Sequence, residues 1–160
     1  VTAAALRYLH GHAPLLLCME ADDIDHNLAV YWRDGKVGSL GTSRQKELRG
    51  RSPTFLSYFE LVASYLPHYY DVRTGNHNDL TLRGFAVVDL RMFGDSWVTQ
   101  AGDLRELERY LYTLPYKAIV DFTTPHGDVK VGEFYYSPPP GKPVKDDVVF
   151  PTLSFFGEKD

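Results

Sequence analysis

His26 is the residue of this sequence best suited to acid–base chemistry. It directly follows the acidic turn Asp22-Asp23-Ile24-Asp25, and it begins a segment typical of a β-strand. Nearby carboxylates stabilise an imidazolium ion and can orient the ring, so His26 is a candidate general base. A general base also needs a nucleophile within hydrogen-bond reach. From spacing alone, a surface histidine at the start of a strand is the simpler interpretation.

The single cysteine, Cys18, lies between Leu17 and Met19 in a short apolar run. Nucleophilic cysteines need an electropositive, partly exposed setting that favours the thiolate. An apolar strand favours a neutral, buried thiol instead, and free cysteine is among the most buried residue types. We therefore expect Cys18 to be structural. A single cysteine also excludes an intramolecular disulfide.

Other clusters carry weaker chemical signals. The acidic turn at 22–25 lacks the glycine and the distal glutamate of a calcium loop. His10 and His12 lack the further ligands that a zinc site needs. A basic stretch contains Arg44, Lys46, Arg49 and Arg51. The default interpretation of such a stretch is a solvent-exposed charged face. We expect neither a metal nor a cofactor.

The composition is that of an ordinary globular domain. The chain has 160 residues, of which 44% are hydrophobic and 24% charged, close to the average for folded proteins. The net charge of -4 argues against nucleic acid or an anionic membrane as a partner. No apolar run reaches the roughly 18 residues of a membrane span. One cysteine and no secretory signal favour a reducing intracellular compartment, and a mitochondrial location after removal of a transit peptide stays open.

Periodicity and turn residues predict a mixture of helices and strands. A first helix is expected over 1–9, and Asp34-Gly35 is a strong hairpin signal. Pro53 is expected to begin a second helix with Ser52 as its N-cap, and Asp103 to open the capping box of a later one. The predicted strands are 15–19, 26–33, 36–40 and 82–90.

The C-terminal segment is of a different kind. From Asp121 the sequence looks extended, and Pro138-Pro139-Pro140 favours polyproline geometry. Its large aromatic side chains are Phe134, Tyr135, Tyr136, Phe150, Phe155 and Phe156. An aromatic arm of this kind can wrap a partner protein or fold back on its own sheet. We therefore divide the chain into a domain over 1–120 and an extended C-terminal arm over 121–160.

Several short motifs follow one another in a defined order. They are His10-Gly11-His12 before Pro14, Asp25-His26, Gly38–Ser43, Leu48–Pro53, Glu60–Tyr65, Asp89-Leu90 and Trp97-Val98-Thr99. In this order and spacing, the sequence resembles a bacterial family of transglutaminase-like domains of the papain superfamily. The resemblance covers residues 1–114, and it is clearest over 1–70.

The resemblance implies an α+β, papain/transglutaminase-like fold with an antiparallel sheet packed against helices. Such a fold holds a cysteine at a helix N-terminus, where the dipole lowers its pKa, against a histidine on the sheet. His26 falls on the family's catalytic histidine. The family's cysteine is expected about one to two helical turns before Val1, and Cys18 lies on a different element. Arg44 stands where the family's orienting asparagine is expected, and a guanidinium cannot accept a hydrogen bond from imidazole.

Two functions follow from the resemblance. The first is a pseudoenzyme: a non-catalytic, degenerate transglutaminase-like domain that holds other protein subunits of an assembly through its C-terminal arm. The alternative is an active cysteine hydrolase or acyl transferase whose nucleophile lies upstream of Val1, with His26 as its catalytic histidine. A third interpretation is a ligand-binding domain that uses the cleft of the family's active site, with His26 as a polar contact. We favour the first because Arg44 stands at the orienting position and the family's cysteine is not in the sequence.

Overall fold

Six strands form one antiparallel sheet, and helices pack on both of its faces. The structure is a computed structural model that describes residues 1–71, 73–99, 104–120 and 131–135. The strands are β1 (Leu15–Ala21), β2 (His26–Arg33), β3 (Lys36–Leu40), β4 (Leu82–Asp89), β5 (Lys117–Val120) and β6 (Val131–Tyr135). The helices are α1 (Thr2–Leu9), α2 (Tyr58–Ala63), α3 (Ser96–Thr99) and α4 (Arg105–Leu111). No helix within these ranges has the length and apolar character needed to cross a membrane.

The strand order is β3-β2-β1-β4-β5-β6, so β1 lies between β2 and β4. The hairpin between β2 and β3 turns at Asp34 and Gly35, whose φ angles are 52° and 70°. Both residues therefore occupy the left-handed region that a type I′ turn requires. This confirms the predicted hairpin, and the α+β class expected from the sequence is confirmed with it.

Alternate strand residues point into two separate apolar layers, as the pleat of a strand dictates. The α1 face of the sheet packs against α1, α3 and α4, and its buried strand residues include Leu16, Cys18, Ala29, Ala86 and Val88. The α2 face packs against α2 and the segment after it, and its buried strand residues include Leu17, Met19, Leu28, Val30 and Val37.

The prediction of a helix beginning at Pro53 is wrong. Residues 51–55 run alongside β3 instead, and the backbone N–H of Ser39 donates to the carbonyl oxygen of Arg51 at 2.9 Å. Gly38 permits this close approach, because a Cβ atom there would lie 2.8 Å from that same carbonyl oxygen. The extended segment is held by backbone pairing with a strand, and α2 begins only beyond it.

Part of the C-terminal arm lies within the described residues. Strand β6 pairs with β5, and Ala118 stands opposite Phe134 in the register. The proline triplet and the later aromatic residues lie outside the described residues, as does Asp103 of the predicted capping box. The division of the chain at residue 120 stays a prediction.

Candidate functional site

His26 is the first residue of β2, and its side chain lies on the α2 face. It stands opposite Met19 of β1, and its Nε2–H donates to the carbonyl oxygen of Leu48 at 3.0 Å. Burial of the ring lowers the pKa of His26, and the bond to Leu48 offsets part of that effect. The imidazole is therefore a neutral donor that holds the loop after β3 to the sheet.

Two of the three carboxylates of the acidic turn have partners other than His26. Asp25 accepts a hydrogen bond from the backbone N–H of Ala21 at 3.0 Å, and Asp22 forms an ion pair with Arg83 of β4. These contacts close the turn between β1 and β2 and tie it to the neighbouring strand. Within the described residues, neither Asp22 nor Asp25 hydrogen-bonds His26.

Cys18 is buried on the α1 face, with only 1% of its surface exposed. It stands between Asn27 of β2 and Ala86 of β4. Burial raises the pKa of the Cys18 thiol to about 12, so the thiol is neutral at neutral pH. The expectation that the Cys18 thiol is buried is confirmed.

The sheet separates the thiol of Cys18 from the imidazole of His26. A Cys–His pair needs both side chains within hydrogen-bond reach of each other. Helix α1, on which the resemblance places the nucleophile, packs on the α1 face through Ala4. His26 points to the opposite face, toward Leu48. The one cysteine of the sequence therefore does not face His26.

Arg44 is an exposed side chain on the loop that follows β3. Next to it, the backbone oxygen of Ser43 accepts a hydrogen bond from Nε–H of Arg49 at 3.0 Å. Arg51 donates to the backbone oxygen of Glu47 at 2.6 Å. Two residues of the basic stretch, Arg49 and Arg51, therefore stabilise their own loop through hydrogen bonds to backbone oxygens, so the stretch is more than a solvent-exposed face.

A buried polar network, which the sequence analysis missed, joins this loop to the core. The fully buried Tyr65 donates its hydroxyl to the backbone oxygen of Arg49 at 3.0 Å and accepts from Ser39 Oγ at 2.7 Å. Ser39 Oγ accepts the backbone N–H of Arg51 at 2.9 Å. Both hydroxyls are satisfied, so the network stabilises the loop. A serine inside an apolar strand is the sequence signal that could have indicated it.

Two cavities that the structure describes lie away from these residues. One of about 330 Å³ lies between α3 and α4 and is lined in part by Trp97. The other, of about 270 Å³, lies at the C-terminal end of α1 and is lined in part by Arg7. Neither cavity is lined by Cys18 or His26. Among the described side chains, no three histidines, cysteines or carboxylates are grouped to hold a metal ion.

Comparison with known proteins adds no family assignment. A search against protein-family models and against curated proteins finds no match. The transglutaminase-like resemblance therefore rests on the order and spacing of the sequence motifs.

Proposed function

We propose that this chain is a non-catalytic, degenerate transglutaminase-like domain that serves as a structural or accessory subunit of a larger protein assembly. The observation that carries the proposal is the placement of Cys18 and His26 on opposite faces of the sheet. A thiol enzyme needs a nucleophile in contact with its general base. Cys18 makes no such contact with His26, and we infer that the fold serves as a surface on which other subunits assemble.

The bonding of His26 supports a structural use of the imidazole. Its Nε2–H is donated to the Leu48 carbonyl oxygen, which ties the loop after β3 to the sheet. Helix α1 packs on the other side of the sheet.

The position of Arg44 supports the same proposal. In a Cys–His site, a third polar residue accepts a hydrogen bond from the imidazole and fixes its tautomer. Arg44 is exposed, and a guanidinium has no acceptor to offer. The surrounding loop is instead braced by Arg49 and Arg51 through backbone oxygens.

An accessory subunit also needs apolar surface for its neighbours. In the described domain Leu9, Leu56 and Tyr112 are 69%, 66% and 74% exposed. We assign the main contact with other subunits to the C-terminal arm, because its sequence adds many large aromatic residues. Permanent interfaces between subunits are more apolar than the rest of a protein surface.

The first test is thiol labelling of the protein isolated from its natural host. The native protein is treated with iodoacetamide and its labelled peptides are mapped by mass spectrometry, with a urea-unfolded sample as the positive control. We expect Cys18 to react only after unfolding, because burial suppresses both the thiolate and access to it. A reactive cysteine upstream of Val1, protected in His26→Gln but not in His77→Gln, would instead establish the cysteine hydrolase or acyl transferase.

The second test addresses the assembly. The tagged full chain is expressed in its host, and the native mass of the purified material is measured. We expect a mass well above the 18.2 kDa of one chain, and a return to a single-chain mass when the arm beyond residue 135 is removed. A full chain that runs as a monomer would contradict the accessory role.

A further inference from the structure

Three aromatic side chains form a patch on the α2 face, at the end of the sheet next to the β2–β3 hairpin. Trp32 of β2 stands opposite Val37 of β3, and Val37 stands opposite Phe55. Directly opposite residues share a face of a sheet, so Trp32 and Phe55 lie on the same side as the buried Val37. Tyr58, the first residue of α2, completes this aromatic patch.

The contact between Trp32 and Tyr58 leaves an apolar ring surface in solvent. The indole N–H of Trp32 donates to the hydroxyl of Tyr58 at 2.8 Å. The two rings meet edge to face, with their centres 5.5 Å apart and their planes at 77°. Trp32 is nevertheless 43% exposed, and its only polar group already has a partner. The Tyr58 hydroxyl accepts that bond and can still donate its own proton.

The sequence contains a segment of matching chemistry, the triplet Pro138-Pro139-Pro140. Proline has no backbone N–H, so the triplet offers only apolar rings and carbonyl acceptors. Polyproline geometry contains no internal hydrogen bonds, so those carbonyl groups stay available. Aromatic surfaces recognise such segments because the conformation is set before binding and little entropy is lost.

Covalent reach separates this triplet from the aromatic patch of its own chain. One register row crosses the sheet from β6 to β2, and its residues are Tyr135, Lys117, Phe85, Met19 and His26. Trp32 lies further along β2 and roughly 27 Å from Tyr135, since strands lie about 4.8 Å apart and each residue advances about 3.3 Å. The triplet ends five residues after Tyr135, and five extended residues span at most about 18 Å. It therefore reaches Trp32 only on another copy of the chain.

We infer that Pro138-Pro139-Pro140 of one copy of this chain docks on the aromatic patch of a second copy. The proline rings pack on the exposed face of Trp32, and a carbonyl oxygen of the triplet accepts the Tyr58 hydroxyl. In a two-fold dimer each copy supplies one arm and one patch, so the same contact forms twice and the assembly closes. The inference rests on the proposed function, in which the C-terminal arm contacts other subunits, and it identifies one of them as a second copy.

The test uses the full chain produced alone in a heterologous host, so that no other natural subunit is present. Sedimentation velocity over a range of concentrations measures its self-association, and we expect a mass above the 18.2 kDa of one chain. Trp32→Ala should weaken the association at least about tenfold, because tryptophans at interfaces often carry a large share of the binding energy. Tyr112→Ala is the matched control. It removes an aromatic side chain that is 74% exposed at the end of α4, and it should leave the association unchanged.

Variants of the arm test the other half of the contact. Replacing all three prolines of the triplet by alanine should weaken the association as much as Trp32→Ala does. Pro151→Ala changes a proline elsewhere in the arm and should have no effect. The Trp32→Ala chain keeps its triplet, and the triplet variant keeps its patch. A mixture of these two variants should therefore associate more tightly than either variant alone, as only a contact between copies predicts.

Three results would overturn the inference. The first is a full chain that is monomeric when produced alone, and the second is association that survives loss of Trp32 or of the triplet. The third is a mixture of the two variants that associates no better than either one. If circular dichroism shows that Trp32→Ala does not fold, the triplet variant decides, and undiminished association by that variant overturns the inference.

The same measurements keep this inference apart from the proposed function. A monomer when produced alone, together with a large native mass in material from the natural host, overturns only the contact between copies. A monomer from both sources overturns the accessory role as well.

Discussion

Cys18 and His26 lie on adjacent strands, yet their side chains point to opposite faces of the same sheet. Cys18 stands opposite Asn27, and His26 stands opposite Met19. One step along β2 therefore decides which face a side chain occupies. The thiol packs in the layer beneath α1, and the imidazole holds the loop after β3. The two residues have separate structural roles and do not form a pair.

His26 should make the free energy of unfolding depend on pH. This free energy should fall as the pH drops below about 6.5, the ordinary pKa of histidine. Burial holds the folded-state pKa of His26 below that value. Between the folded pKa and about 6.5, the unfolded chain binds a proton that the folded chain does not. The stabilisation is fully present above about pH 6.5 and is lost as the pH falls through this window. Urea unfolding between about pH 5 and pH 8, followed by circular dichroism, measures it.

His26→Gln is the matched variant for this prediction. A glutamine amide can donate to the Leu48 carbonyl oxygen but does not titrate. The pH dependence below about pH 7 should flatten, and the free energy of unfolding at about pH 8 should change by less than about 1.5 kcal/mol. His77→Gln, at an exposed position, should leave the profile unchanged. A wild-type profile in His26→Gln would assign the titration to other groups.

Ser57, and not Ser52, caps α2. Ser57 Oγ accepts the backbone N–H of Glu60 at 3.1 Å, and the Glu60 carboxylate accepts the backbone N–H of Leu56 at 2.7 Å. Such reciprocal bonds satisfy donors at the start of a helix. Ser57→Ala should lower the free energy of unfolding by about 1 kcal/mol, and Ser52→Ala by less than about 0.5 kcal/mol. Urea midpoints compare the two, and equal losses would refute the assignment.

The strands of this fold were easier to predict from the sequence than its second helix. Strands β2 and β3 have their predicted bounds, because strand-favouring residues and the Asp34-Gly35 turn are local features of the sequence. Residues 51–55 carry no local signal of their pairing with β3. Their extended conformation depends on contacts with β3, which is separated from them in the sequence by a loop. The helical spacing of apolar residues gives no information about such contacts.

The same limit applies to the candidate site. The burial of Cys18 follows from its apolar neighbours in the sequence, and the structure confirms it. The face on which His26 lies depends on strand register, and a shift of one residue would reverse it. The contact between Ser39 and Tyr65 joins residues 26 positions apart, so it exists only once β3 and the segment after α2 pack together.

Ser39 and Tyr65 should act as one energetic unit. Tyr65→Phe removes the donor to the Arg49 carbonyl oxygen and leaves the Ser39 hydroxyl without an acceptor. Ser39→Ala leaves the backbone N–H of Arg51 without its acceptor. Each change should lower the free energy of unfolding by about 1 to 3 kcal/mol, because each leaves buried polar groups unpaired.

The double variant distinguishes coupling between Ser39 and Tyr65 from two independent losses. Once either hydroxyl is gone, their mutual bond is already broken, so the second substitution should cost less than it does alone. The combined loss in urea unfolding should fall short of the sum by about 0.5 kcal/mol or more. Tyr112→Phe is the control, because Tyr112 is 74% exposed and its hydroxyl should contribute less than about 0.5 kcal/mol. Strict additivity would mean that the two hydroxyls stabilise the loop separately.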